Sequence, residues 1–127
     1  SALRAVMAQR LVRAICTECR EQYTPEAMEL RSLGLNVDDL QSAMLYRGTG
    51  CQRCSQSGYK GRKGIFEIFK VDDEIQRLIF ENSGVTEIRA RARELGMRTL
   101  REDGIRKVIA GITTVSEVLR VTMGDED

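Results

Sequence analysis

The sequence predicts an α+β chain in which two strands flank an inserted metal-binding unit and a run of short helices follows. Three observations carry this expectation. The four cysteines fall into two C-x-x-C pairs, Cys16/Cys19 and Cys51/Cys54. Short runs rich in β-branched and aromatic residues stand on either side of them, Arg10-Leu11-Val12-Arg13-Ala14-Ile15 before and Ile65-Phe66-Glu67-Ile68-Phe69 after. From Asp72 onward, apolar residues recur at helical spacing between capping signals.

The cysteines organise the rest. Two residues between sulfurs let one tight turn present both to a single ion, and two such knuckles supply the four ligands of a tetrahedral Zn²⁺. The expected ligands are Cys16, Cys19, Cys51 and Cys54, bound as thiolates. Two other readings use the same residues: a pair of redox dithiols, or two disulfides. A redox C-x-x-C usually stands alone where a strand leads into a helix, and here it is doubled. Disulfides need an oxidising compartment, and no stretch reads as an export signal.

Composition narrows the function. Lys and Arg number 20 and Asp and Glu 19, a formal charge of +1. Four thiolates and one Zn²⁺ would take it to about −1, so bulk charge does not point to nucleic acid. The cations are nevertheless clustered: residues 47–66 hold Arg47, Arg53, Lys60, Arg62 and Lys63 with no acid. Cations there would offset the net negative charge of a Zn(Cys)₄ site. There is no histidine. That removes the commonest general base, the Ser-His and Cys-His nucleophile pairs and the His-containing zinc sites. No apolar run approaches the length of a membrane span, and Gly61-Arg62-Lys63-Gly64 has neither the spacing nor the hydroxyl of a phosphate loop. No catalytic centre is recognisable.

In chain order, Ser1 to Gln9 reads as a helix, with Leu3, Val6 and Met7 on one stripe and Ser1 as N-cap. It starts without the strand or loop that would normally deliver a helix, as if cut from inside a larger protein. Residues 10–15 read as a strand running into Cys16. Thr24-Pro25-Glu26 is a helix start, with Gly34 closing that helix, and a second short helix is expected near Val37 to Met44. The loop cannot enclose a core alone, so the metal is expected to supply most of its order. Gly58, Gly61 and Gly64 permit turns close to the metal. Ile65–Phe69 is the best strand and the natural antiparallel partner of residues 10–15. Helices are then expected around Ile75, Leu78 and Ile79, and around Val85, Ile88, Ala92 and Leu95 up to Gly96. Two more follow the capping boxes Thr99-x-x-Glu102 and Thr114-x-x-Glu117, making a small helical bundle. The expected units are 1–15 (helix then strand), 16–58 (tetracysteine), 59–71 (strand) and 72–127 (helical, with an acidic tail).

These residues resemble a known family. Ala8-Gln9-Arg10-Leu11-Val12-Arg13 precedes Cys16-x-x-Cys19. Gly50-Cys51-x-x-Cys54 is followed by Gly58-Tyr59-x-Gly61-Arg62-x-Gly64-Ile65-x-Glu67 and Val71-Asp72. Asp103-Gly104, Lys107-Val108, Gly111-x-Thr113-Thr114 and Glu117-Val118-x-Arg120-Val121-Thr122 complete the pattern. Nearly the whole chain is similar to the C-terminal portion of the P-loop ATPases of type II secretion and type IV pilus assembly. Thr17 departs from the proline often found there, which should not disturb ligation.

The resemblance implies a structural zinc in a subdomain inserted into an ATPase domain. Residues 1–15 (helix then strand) and 59–71 (strand) would belong to its RecA-like core, the two strands lying at its edge. The nucleotide-binding motifs would lie upstream, leaving this part catalytically silent, with ATP and Mg²⁺ acting only in the full-length parent. Partners would be the rest of that ATPase domain, neighbouring subunits of a homohexamer and inner-membrane platform proteins, with no nucleic acid expected. The location would be cytoplasmic, held peripherally at the inner membrane. Arg10 and Arg62, beside the core strands, are candidates for nucleotide or inter-subunit contacts; otherwise they solvate the surface or balance the zinc. Two rivals remain: a zinc ribbon binding nucleic acid with Tyr59 and Phe66 stacked on bases, and a zinc knuckle of the co-chaperone kind binding unfolded peptide.

Overall fold

A computed structural model of the chain describes residues 3–35 and 44–123. Its spine is a long antiparallel ribbon of β1 (Leu3–Ile15) and β4 (Tyr59–Val71). The register runs from Leu3 opposite Val71, through Arg10 opposite Ile65, to Arg13 opposite Arg62 and Ile15 opposite Tyr59. Between these strands come β2 (Arg20–Tyr23), α1 (Ala27–Ser32) and β3 (Leu45–Gly48). β2 and β3 form a second small antiparallel sheet that local sequence did not announce. After the ribbon follow α2 (Asp73–Phe80), α3 (Val85–Glu94), α4 (Leu100–Ile109) and α5 (Val115–Thr122).

The main correction concerns the N-terminal helix. Residues from Leu3 onward are strand, paired with β4 along its whole length. The i, i+3, i+4 spacing there is real but short, and a long ladder, broken in register only at Met7 and Ala14, with a β-branched and aromatic partner outweighs weak local propensity. Thr24 does not cap α1 either. Its hydroxyl donates to the Met44 sulfur at 3.5 Å, and the helix begins at Ala27, behind Glu26. Gly34, Gly96 and Gly111 all take positive φ just past helix ends, as the sequence suggested. The helix expected near 37–44 falls largely outside the described residues.

The helices do not make a self-contained bundle. They form two pairs, each laid on a different part of the ribbon. At the far end Ile75, Leu78, Ala92 and Met97 pack with Phe69 and Val71 of β4. At mid-ribbon Val12 and Ile65 pack on Leu100 and Val121. Near the cysteines, Leu30, Leu33 and Leu45 from the loop share one core with Val108, Val115 and Val118 from α4 and α5. The Thr99–Glu102 capping box is complete, with both reciprocal bonds present. The second box is half formed. Thr114 accepts from the Glu117 backbone, but the Glu117 side chain turns inward to β1.

Two buried carboxylates cover the outer edges of the ribbon, where strand N–H groups would otherwise lie unpaired. On β1, Glu117 accepts from the Arg13 backbone at 2.6 Å, the Thr113 hydroxyl donates to the Arg13 carbonyl at 2.7 Å, and Ile15 N–H reaches the Ile112 carbonyl. On β4, Asp103 accepts from the Phe66 backbone at 2.9 Å, and Ile68 bridges to Arg98.

Candidate metal centre

The four sulfurs meet where both strands leave the ribbon. β1 delivers Cys16, whose N–H donates to the Gly58 carbonyl at 2.9 Å, so the lobe closes on itself at its base. Cys19 follows one turn later, just before β2. Cys51 and Cys54 lie between β3 and β4, in a turn where Gly50, Ser55, Gln56 and Gly58 all have positive φ. The lobe's backbones cross very closely: a Cβ on Gly48 would overlap the Gly58 carbonyl oxygen, so only glycine fits there.

All four Sγ atoms lie within 4.8 Å of one another. Cys16–Cys51, Cys19–Cys54 and Cys51–Cys54 stand at 3.7, 3.8 and 3.6 Å. A tetrahedron of sulfurs about 2.3 Å from a central ion has edges of about 3.8 Å, whereas a disulfide needs about 2.05 Å. The cysteines are unbonded to each other and suited to share one metal ion.

Backbone donors are already in place for thiolates. Gly50 N–H points at Cys19 Sγ (3.3 Å), and both Cys51 N–H (3.3 Å) and Gly58 N–H (3.2 Å) point at Cys54 Sγ. Burial works against charge on Cys54, yet these N–H groups and the neighbouring thiols hold it down to about 6. The Cys54 backbone favours a Cys51 thiolate too, but burial and the sulfurs of Cys54 and Cys16 outweigh it and push Cys51 up to about 11. A cation bound among the four sulfurs would favour all four as thiolates.

A family model described as "Type II/IV secretion system protein" matches residues 1–120. The chain belongs to that family. It is 49% identical over 123 residues to the type IV pilus assembly ATPase PilB of Thermus thermophilus, covering 97% of this chain and 14% of that protein. It is 45% identical to the type II secretion system protein E of Pseudomonas aeruginosa and 42% identical to the type II secretion system ATPase E of Vibrio cholerae. In each case the match covers 96% of this chain and 24% of the relative. The chain therefore spans between 14% and 24% of the length of these relatives.

The other sequence-singled residues of this family member fall at two places. Arg10 is exposed on β1, its guanidinium donating to the Gln9 carbonyl. Arg62 is exposed at the cysteine end of the ribbon, opposite Arg13. Neither is brought to the sulfurs by a described contact. Arg47 and Arg53, offered as counter-charges to the metal, pair instead with Glu21 at 3.0 Å and Glu18 at 3.9 Å.

Sequence reasoning missed the clamp beneath the centre. Glu117, 1% exposed, accepts from the Arg13 side chain at 3.0 Å and from Arg120 at 2.9 Å, besides the Arg13 backbone. Burial opposes its charge, but the hydrogen bonds from Arg120 and Arg13 outweigh it and hold the carboxyl down to about 2. Arg13 also lies over the Tyr59 ring at 4.1 Å, and the Tyr59 hydroxyl meets Thr114 at 2.8 Å. The i, i+3 spacing of Glu117 and Arg120 was the only local signal.

Proposed function

We propose that this chain is the zinc-stabilised C-terminal part of a hexameric P-loop ATPase that powers type II secretion or type IV pilus assembly. The bound ion is a structural Zn²⁺ held by Cys16, Cys19, Cys51 and Cys54, since four soft thiolates at tetrahedral spacing are its preferred donor set. Its role is to close the lobe of residues 16–58 onto the base of β1 and β4. Those two strands are taken as edge strands of the parent's RecA-like core. ATP and Mg²⁺ act in the parent upstream of this segment, which is catalytically silent alone. Its partners are the rest of that ATPase, neighbouring subunits and the inner-membrane platform, with Arg10 and Arg62 as candidate contacts to nucleotide or to a neighbouring subunit.

The observation that carries this reading is the sulfur quartet at the base of the ribbon, inside a match that covers 97% of the chain. Two measurements test it. Elemental analysis of protein purified without added metal should give one zinc per chain. Less than about half an equivalent, or iron in its place, contradicts the assignment. In the full-length parent, Cys16→Ser with Cys51→Ser should abolish zinc and impair secretion or pilus assembly while nucleotide binding persists. Unimpaired assembly without zinc contradicts the functional half.

A further inference from the structure

The outer edge of β4 borders a groove that the metal centre does not use. Phe66 and Ile68 form one wall, and α4 forms the other with Arg106 and Lys107, enclosing about 320 Å³. A second depression of about 240 Å³, which shares Ile68 and Arg98 with the first, lies beside Lys70 and Leu95. Arg98 lines both parts.

Charge in the groove is one-sided. Lys70, Arg98, Arg106 and Lys107 face a single acid, Asp103. That carboxylate is 3% exposed and already engaged: it accepts from Phe66 N–H at 2.9 Å and from Lys107 at 2.8 Å, with Arg98 at 3.7 Å. Among the described residues, no acid stands within ion-pair distance of Arg106 or Lys70. These cations lie beside the apolar side chains of Ile68, Leu95 and Ile112. A ligand that fills the groove must therefore supply carboxylates and apolar groups together.

The chemistry also narrows the ligand class. The Phe66 N–H and both backbone groups of Ile68 are already used, so the groove does not recruit a strand by edge pairing. Among the described residues lining it, no pair of exposed aromatic rings stands ready to stack successive bases. Lys107 sits over Phe66 at 5.8 Å, and Phe69 packs inward on the α2–α3 cluster. We propose that this groove docks an extended acidic and apolar peptide segment of a partner protein, its carboxylates paired with Arg98 and Arg106. The assignment is independent of the zinc reading.

The test uses zinc-loaded chain and a fluorescein-labelled peptide, Gly-Glu-Leu-Asp-Pro-Leu-Glu-Gly, followed by anisotropy. Saturable binding is expected. Arg98→Glu with Arg106→Glu should weaken it at least about tenfold, and Arg106→Ala alone about threefold, as expected for lost charge pairs. A peptide with Lys at each acidic position should bind the double variant and not the wild type. Lys60→Glu with Lys63→Glu, exposed at the cysteine end of the ribbon, should leave affinity within about twofold. Unchanged zinc content and circular dichroism would establish that the variants fold. Absence of saturable binding overturns the proposal. So does equal weakening by both pairs of reversals, or displacement by a single-stranded oligonucleotide at lower concentration than unlabelled peptide.

Discussion

The two ends of the β1–β4 ribbon are built by different physics. At the far end, α2 and α3 close an apolar cluster of Ile75, Leu78, Ala92 and Met97 on Phe69 and Val71, all from residues 69–97. At the near end, the lobe's Leu30, Leu33 and Leu45 find a core only by sharing it with Val108, Val115 and Val118, far along the chain. A buried carboxylate clamp and a sulfur quartet sit at the same place. The first end is local and hydrophobic. The second is non-local and draws lobe, shared core and clamp together beside the sulfur quartet, so it should behave as one cooperative unit.

The largest difference between the ends should appear on removing the metal. Chelation, or Cys16→Ser with Cys51→Ser, should cost on the order of 10 kcal/mol of binding-linked stability and destabilise the near end selectively. Zinc content and near-ultraviolet circular dichroism of Tyr23, Tyr46 and Tyr59 would report it. Gly48→Ala should act in the same direction with every ligand intact, because the added methyl displaces the Gly58 backbone beside Cys54. A competition assay with a chromogenic chelator should show weakened metal affinity.

Core truncations sharpen the contrast. Leu45→Ala and Leu78→Ala should each cost about 2–5 kcal/mol in denaturant unfolding. Only Leu45→Ala, in the core shared with the lobe, should also weaken zinc binding. If Leu78→Ala weakens it equally, the two ends are one unit.

The clamp gives a smaller effect with a defined pH window. The Glu117 carboxyl is depressed from 4.5 to about 2. Its contribution is therefore fully present above about 4.5 and is lost as pH falls from there towards 2. The size is on the order of 3 kcal/mol, and Glu117→Gln should flatten stability over that range. Acid also releases zinc from thiolates, so wild type and variant must be compared under identical conditions. At the bottom of the scale, Arg47→Ala breaks an exposed pair with Glu21 and should change stability by less than about 1 kcal/mol.

What was legible in the sequence follows from range. The cysteine knuckles, the Ile65–Phe69 strand, the Thr99 capping box and the glycines past helix ends are all signals within a few residues, and the fold uses each of them. The strand at Leu3–Gln9 was hidden because its partner lies some sixty residues on, and a short apolar stripe does not separate period 2 from period 3.6. β2 and β3 were hidden for a similar reason: Arg20–Tyr23 has three exposed residues and gains order only by pairing with Leu45–Gly48. Glu117 looked like half of a helix cap. Its actual partner, the backbone of Arg13, is 104 residues away.

Hydrogen exchange on wild type and the Cys16→Ser, Cys51→Ser variant tests the central claim, that metal, lobe and α4–α5 form one unit distinct from α2–α3. The predicted result is a split: comparable loss at the described residues of the lobe and at Val108, Val115 and Val118, which share its core, and little at Ile75, Leu78 and Ala92. Equal loss across residues 73–122, or loss confined to 16–58 with α4 and α5 fully protected, would contradict it.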